Sequence, residues 1–296
     1  MLNRNIHPAR QFAQIGVSMT VSAPEHIPVY DSAASRWKAW EELEQAIKYR
    51  NLIVQLVRRD ILSRYKRSVL GVAWTMLNPL GMMLVLTIVF SQLFRGVPAY
   101  PVYILSGLIA WTFFAQTTTM AMNQLVWGGA LLSRIYIPRT AFNLSSIGTG
   151  LVNITLSLIP LAAIILITGN PLRPAALFLP IAILLLTLFS LGVGLLLSTL
   201  AIYFPDVTEM YQIALLAWMY LTPIIYPPEI IPEAYRSLML NLNPMYHFVV
   251  LFRKPLYEGL LPSAEQVAVA LVIALVASVS GWLVFSNRAD EFAYRV

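Results

Sequence analysis

The chain has 296 residues, 58% of them hydrophobic and 11% charged, and it carries a formal net charge of +6. Ordinary soluble domains contain roughly 25% charged residues, so this composition argues against a water-soluble fold. The chain also lacks cysteine, which rules out disulfide bonds and cysteine metal sites.

The N-terminal region divides into two segments. Residues 1–35 lack the continuous apolar core of a signal peptide, so we expect a poorly ordered cytoplasmic N-terminus. Residues 36–69 are expected to form an amphipathic cytoplasmic interface region. It includes a surface helix at 40–49, which contains Trp40, Leu43 and Ile47.

A basic cluster precedes the first long apolar stretch. Its basic residues alternate with apolar residues that recur every fourth position: Arg58, Arg59, Arg64, Lys66 and Arg67 against Ile53, Val57, Ile61, Tyr65 and Val69. The pattern predicts a helix at the membrane surface with its basic groups toward anionic headgroups. Two roles stay open for these bases: they anchor the topology only, or they also bind a lipid headgroup or diphosphate of the substrate.

Six long stretches of the sequence contain no charged residue. Each provides the roughly 20 residues that a membrane-spanning helix needs, so we predict an all-α integral membrane protein with six transmembrane helices. The predicted spans are 70–94, 103–127, 142–168, 175–202, 208–226 and 265–286. They form a transmembrane domain at 70–286, followed by a cytoplasmic tail at 287–296.

The distribution of basic residues predicts the orientation of these spans. Fifteen of the 20 Lys and Arg residues fall on one side and five on the other. The positive-inside rule assigns the richer side to the cytoplasm. Both termini are therefore expected in the cytoplasm, with Arg95, Arg173 and residues 229–258 outside.

The loop between the second and third spans is short, amphipathic and basic. It contains Arg134, Ile135, Tyr136, Pro138 and Arg139, and its proline sets a bend. Two interpretations stay open. The loop is an ordinary connection, or it is a two-turn helix that presents its aromatic and basic side chains to a partner.

The spans also constrain the energy source. Ion-coupled carriers usually bury ionisable residues in their spans, and the six charge-free stretches contain none. No phosphate-binding loop, zinc motif or nucleophile elbow occurs, and the only histidines are His7, His26 and His247. We therefore predict no catalytic residues and no metal site, and we expect a separate subunit to supply the energy for transport.

Three segments resemble the membrane permeases of ABC exporters for O-antigen, teichoic acid and capsular polysaccharide. The segment 59–80 has the family's basic run, Ser-x-Leu-Gly turn and Trp, although Asn78 stands where the family often has Gln. Residues 133–139 match the family's aromatic-x-Pro-Arg loop, and residues 241–253 match its Asn-Pro with a later Arg. The order and spacing of these motifs extend the resemblance from about residue 45 to the C-terminus.

The resemblance implies an assembly and a cargo. It implies two copies of this chain with two ATP-binding subunits, so that ATP and magnesium are bound by the partner subunit and no cofactor by this chain. The implied cargo is a polysaccharide on an undecaprenyl diphosphate type carrier, moved across the cytoplasmic (inner) membrane. Membrane lipids are further expected partners, and nucleic acid is not. The helix at 40–49 and the loop at 133–139 are implied to contact the ATPase.

The resemblance further implies a channel along the first and fifth spans and a gate after the fifth. Sugars stack on aromatic rings and hydrogen-bond to uncharged polar groups, which selects these channel candidates: Trp74, Asn78, Tyr211, Trp218, Tyr220, Thr222 and Tyr226. Prolines interrupt residues 227–262, so we expect two short helices dipping into the outer leaflet there. The gate candidates are Asn243, Pro244, Phe252 and Arg253. Simple packing is the alternative role for mid-span aromatic residues.

Three other functions share parts of this pattern. A permease for a drug or a small lipid-like molecule would have the same topology. A membrane-embedded glycosyl or acyl transferase would need acidic or histidine residues at a membrane face, for which Asp206, Glu209 and His247 are the candidates. A channel would conduct without any ATPase.

Overall fold

The computed structural model describes residues 38–66, 68–127, 138–170 and 173–292. All the regular secondary structure in these ranges is helical, which confirms the predicted all-α class. The α-helices of these ranges are α1 Lys38–Lys48, α2 Arg50–Tyr65, α3 Ala73–Phe90, α4 Tyr100–Trp127, α5 Thr140–Ile167, α6 Leu179–Tyr203, α7 Val207–Leu221, α8 Glu233–Leu242, α9 Pro244–Arg253 and α10 Ala264–Arg288.

Four of the described helices are long and apolar enough to cross a membrane. They are α3, α5, α10, and α6 together with the short 3-10 turn before it. The helix α4 is as long as α5, at 28 residues, but polar residues such as Gln116 and Asn123 lower its mean hydropathy. The helix α7 has 15 residues, which is about 22 Å of helix against roughly 30 Å of hydrocarbon. The six-span arrangement therefore stays a prediction.

The predicted fifth span, 208–226, is wrong at its C-terminal end. The helix α7 ends at Leu221, and Thr222 adopts an extended conformation with φ −95° and ψ 127°. The cause is Pro223, because a proline ring disfavours the helical conformation in the residue before it. The chain instead turns back into the protein, where Ile224 and Ile225 are buried.

The helix α4 lies at the centre of the bundle. It contacts α3, α5, α6, α7 and α9, and almost all of its first fifteen residues are buried. Its Phe114 stacks on Phe189 of α6, which in turn stacks on Phe248 of α9. The core therefore contains an aromatic cluster shared by three helices.

The helices α6 and α10 cross at a pair of glycines. A Cβ added at Gly192 or at Gly281 would lie 2.2 Å from backbone atoms of the other helix. Close approach of this kind is how small residues favour helix association in membranes. The hydroxyl of Ser278 strengthens the crossing by donating to the carbonyl of Leu188 at 2.7 Å.

Candidate functional site

A polar cluster joins α2 to the neighbouring ends of α4 and α5. Asp60 is buried, and its Oδ1 accepts hydrogen bonds from Nε and Nη2 of Arg59 at 3.1 and 2.9 Å. Its Oδ2 accepts from Nε2 of Gln124 at 2.6 Å. The hydroxyls of Ser145 and Ser146 donate to Oε1 of Gln124 at 3.0 and 3.1 Å. We call these five residues the Asp60 cluster.

The same helix ends flank the predicted coupling loop. Of its candidate residues, Arg134, Ile135 and Tyr136 lie outside the described residues, whereas Pro138 is buried and Arg139 is half-buried. The next residue, Thr140, donates its hydroxyl to Oε2 of Glu42 on α1 at 2.9 Å. A displacement of this loop would therefore act directly on α1 and, through the Asp60 cluster, on α2.

The helix α2 fits closely against α5. A Cβ added at Gly148 would lie 2.7 Å from a methyl group of Val57, so the two helices approach without a gap. The helix α1 is bound by α10: the indole nitrogen of Trp282 on α10 donates to the carbonyl of Ala39 on α1 at 3.1 Å. Both N-terminal helices are thus attached to the transmembrane helices by packing and hydrogen bonds.

The predicted basic and interface residues differ in exposure. Arg58 and Lys66 are exposed, and Arg59 pairs with Asp60 while keeping 48% of its side chain exposed. Arg67 and the side chain of Arg64 lie outside the described residues. The three interface-helix candidates, Trp40, Leu43 and Ile47, are all exposed on α1, which leaves an apolar stripe available on that helix.

Two channel candidates on α3 border an uncharged polar cavity. The cavity has a volume of about 220 Å³ and lies between α3, α4 and α5. Trp74 and Asn78 line it from α3, Gln116 from α4 and Asn153 from α5. None of the described residues that line it is charged, and apolar side chains such as Ile109 and Phe113 complete its wall.

Two channel candidates on α7, the buried Tyr211 and the half-buried Trp218, contact other helices. The hydroxyl of Tyr211 is buried and lies 2.6 Å from Oγ1 of Thr118. The ring of Trp218 packs edge-on against Phe114 with their centroids 5.2 Å apart. Its Nε1 donates to Oδ1 of Asn243 at 2.8 Å, so Trp218 has a packing partner and a polar partner at once.

The remaining channel candidates surround the turn after α7. Tyr220 is 58% exposed, and its carbonyl accepts a hydrogen bond from the hydroxyl of Tyr226 at 2.8 Å. Thr222 is buried and donates to the carbonyl of Trp218 at 2.8 Å. Tyr220 is therefore the member of this group that offers a free aromatic face.

Two short helices, α8 and α9, occupy the segment where two were predicted. Asn243 begins α9 by accepting from the backbone N–H of Met245 at 3.1 Å, and Pro244 stands at the first helical position. The amide of Asn243 also donates to Oγ1 of Thr222 at 2.9 Å. This asparagine thus ties the start of α9 to the end of α7.

Arg253 forms the second connection of α9, at its other end. Its Nη1 and Nη2 donate to the carbonyls of Pro223 and Ile224 at 2.9 and 3.1 Å. Its guanidinium carbon lies 3.7 Å from the ring centroid of Tyr103 on α4. Both Arg253 and the neighbouring Phe252 are buried. An arginine stays charged in proteins, so this contact places a cation in the core and gives it carbonyl and aromatic partners.

The candidates for a transferase site do not meet. Asp206 and Glu209 lie at the first turn of α7, whereas His247 lies beyond its other end on α9. The length of α7, about 22 Å, separates them. No group of three or more metal-binding side chains occurs in the described residues.

Comparisons with known proteins connect this arrangement to transporters. Residues 51–257 match the ABC-2 type transporter family. The chain is 30% identical over 254 residues to the O-antigen export system permease protein RfbA of Myxococcus xanthus, covering 85% of this chain and 97% of the relative. It is 24% identical to the protein of the same name from Klebsiella pneumoniae, covering 82% and 94%. It is also 24% identical to the polysialic acid transport protein KpsM of Escherichia coli, covering 79% and 92%.

Proposed function

The chain belongs to the ABC-2 type transporter family, and we propose that it is the membrane-spanning subunit of an exporter that moves a polysaccharide across the cytoplasmic membrane. One observation carries the proposal: relatives named for O-antigen export and for polysialic acid transport each match most of this chain. These two cargoes share only their polymeric sugar nature, which makes polysaccharide the common substrate class. Like its relatives, the chain is a transport component and not an enzyme.

The proposed assembly contains two copies of this chain and two ATP-binding subunits, which bind ATP and magnesium. The sequence contains no phosphate-binding loop of its own. A second copy would cover apolar surface: only 11% of the most apolar stretch of α3 is buried within one chain, against 39% for α5. On α7, Ile213 and Leu216 are exposed as well. The mass of the purified complex tests this stoichiometry.

The proposed topology has six spans with both termini in the cytoplasm. Four apolar spans are present, and this proposal adds α4, which is the second span in chain order. Ser106, Thr117 and Thr118 of α4 are buried against neighbouring helices, which a membrane permits, and Gln116 is exposed within one chain. The proposal also adds α7, the fifth span in chain order, which gives six. The domains then follow the sequence: a cytoplasmic N-terminus at 1–35, an interface region at 36–69, the transmembrane domain at 70–286 with its external segment at 227–262, and a cytoplasmic tail at 287–296.

The proposed coupling element is the loop between α4 and α5. A partner that hydrolyses ATP must displace the permease mechanically, and a rigid connection transmits a displacement that a flexible one absorbs. The contacts at Thr140 and Gln124 support this role, because they attach both ends of the loop to the N-terminal helices. The exposed stripe of Trp40, Leu43 and Ile47 is the proposed surface of α1 for the ATPase.

The proposed cargo is a glycan on an undecaprenyl diphosphate type carrier. The exposed bases Arg58 and Lys66, with Arg64 and Arg67, provide positive charge for the diphosphate just before the first span. The neutral, polar surroundings of Trp74 and Asn78 suit the sugar part. The proposed outer gate is α8 and α9, which Asn243 and Arg253 connect to the end of α7.

Deleting the gene tests the function in cells. Without this chain, surface polysaccharide is expected to disappear while lipid-linked glycan accumulates inside, and a plasmid copy is expected to restore export. The matched control is deletion of the ATP-binding subunit, which should give the same phenotype. Normal surface polysaccharide in the deletion strain would contradict the proposal. If the deletion strain kept its polysaccharide but lost resistance to a drug, the cargo would be a small molecule.

A further inference from the structure

The cavity between α3, α4 and α5 contains polar groups without partners. The side chains of Asn78, Gln116 and Asn153 line it and make no hydrogen bond to any residue within the described ranges. The hydroxyl of Thr117 also lines it; this residue is 1% exposed, and the hydroxyl has no partner among the described residues. Asn78 and Gln116 are exposed within one chain and Asn153 is half-buried, so the three carboxamides are open to a ligand, and the buried hydroxyl of Thr117 is the group beside them that lacks a partner.

The polar side chains of the cavity lie far from the ends of their helices. Gln116 lies sixteen residues into α4 and Asn153 thirteen residues into α5, about 24 and 20 Å along helices of about 42 Å. Both residues are therefore near the middle of spans in a hydrocarbon layer of roughly 30 Å. Unpaired polar groups at such a depth cost free energy unless a ligand or an ordered water satisfies them.

We propose that this cavity is a side site that binds one uncharged sugar unit of the exported glycan. The inference rests on the proposed function and names a sugar subsite of the proposed exporter. The subsite is built mainly by α4 and α5. Carboxamides both donate and accept hydrogen bonds, as sugar hydroxyls do. Trp74, which is 54% exposed at the mouth, offers its ring as a stacking surface.

The size and charge of the cavity select among possible occupants. Its 220 Å³ is below the roughly 300–1,000 Å³ of sites for drug-sized ligands, which suits one sugar ring and not a folded oligosaccharide. A diphosphate needs cationic partners, and the lining residues within the described ranges include no charged one. An acyl chain would leave the carboxamides unpaired. A neutral polyhydroxylated ring needs no cationic partner, and its hydroxyls can pair with the carboxamides.

Cysteine labelling tests this site because the chain has no native cysteine. Ser157 lines the cavity, and its hydroxyl bonds to its own helix at the carbonyl of Asn153, so Ser157→Cys leaves the unpaired groups in place. Thr155, two residues away on the opposite face of α5, is exposed, and Thr155→Cys is the matched control. Both variants are labelled with N-ethylmaleimide in the complex with its ATP-binding subunit, reconstituted in lipid. The probes are polysaccharide released from the cell surface and, separately, undecaprenyl phosphate.

The sugar site predicts slower labelling of Ser157→Cys with polysaccharide, by about threefold at twice its Kd, and no change for Thr155→Cys. Equal slowing by undecaprenyl phosphate would assign the cavity to the lipid carrier and overturn the inference. Labelling that polysaccharide does not slow, or that does not occur at all in a complex that exports, would also overturn it. A complex that exports no polysaccharide would refute the proposed function itself, and the subsite with it.

Export by apolar variants gives a second test. Gln116→Leu combined with Asn153→Leu keeps the volume of the two side chains but removes their hydrogen-bonding groups. We expect export to fall severalfold while capture of the ATP-binding subunit and membrane insertion stay normal. Parental export by a correctly assembled double variant would overturn the sugar site.

Discussion

Replacing Asp60 by alanine is predicted to destabilise the cytoplasmic end of the permease and to uncouple it from its ATPase. Asp60 connects α2 to Gln124 on α4, and Gln124 in turn accepts hydrogen bonds from two serines of α5. Without the carboxylate, the amide of Gln124 loses its acceptor and α2 loses its polar attachment to both spans. A displacement of the coupling loop would then move α2 only through its packing against α5, and less of the displacement would reach it.

The magnitude follows from the individual contacts. A hydrogen bond to a charged group contributes about 1.5–3 kcal/mol, and the 2.6 Å bond from Gln124 is of this kind. The pair with Arg59 contributes less, about 0–1 kcal/mol, because 48% of the arginine side chain is exposed. Asp60→Ala should therefore lower the free energy of unfolding by about 1.5–4 kcal/mol.

A double-mutant cycle of Asp60→Ala and Gln124→Leu isolates the contact, measured by equilibrium unfolding in mixed micelles. We expect a coupling energy of about 1.5–3 kcal/mol. Arg58→Ala is the matched control on the same helix; its side chain is exposed, and its effect should stay within about 0.5 kcal/mol. In the export assay, Asp60→Ala should hydrolyse more ATP per exported polymer. Additive effects of the two substitutions, with a parental ratio of ATP to polymer, would refute the reasoning.

Three further predictions address the gate, the topology and the coupling loop. Arg253→Lys cannot bond to two carbonyls and stack on a ring together, so the free energy of unfolding should fall by about 2 kcal/mol, and an unchanged unfolding midpoint would contradict this role. In intact cells, an impermeant thiol reagent should label Glu233→Cys and not Ser133→Cys, and the opposite pattern would reverse the topology. Tyr136→Ala with Arg139→Ala removes an aromatic and a basic anchor, a type of contact commonly worth about 2 kcal/mol or more. Export should then stop while the partner still binds ATP; parental export with parental ATPase activity would exclude this loop as the coupling element.

The sequence predicts the long helices well because a bilayer tolerates few charges, and each charge-free stretch contains one of the helices α3 to α6 or most of α7 or α10. The helix α4 shows where the absence of charge and hydropathy differ. Its threonines, glutamines and asparagines lower the mean hydropathy, yet it contacts five other helices. The early end of α7 was also available from the sequence, since Thr222 precedes Pro223 and that order opposes helix.

The Asp60 cluster was not predictable from the sequence by the same reasoning. Asp60 stands among basic residues in a segment that looks like a solvated surface, and its partner Gln124 is 64 residues away. Local periodicity contains no information on such a contact. Trp218 is a similar case, because the position of Asn243, 25 residues later, depends on how the chain folds back after α7. Contacts of this kind are set by tertiary packing, which neither composition nor spacing reports.

Reconstituted transport tests the central claim most directly. The chain and its ATP-binding subunit would be placed in vesicles that contain the lipid-linked polysaccharide on the side that carries the ATPase, and a glycan-degrading enzyme on the other side would report its arrival. The account predicts degradation that requires ATP and magnesium and that stops when either subunit is omitted. Degradation by this chain alone without ATP, or none with both subunits and ATP present, would contradict it.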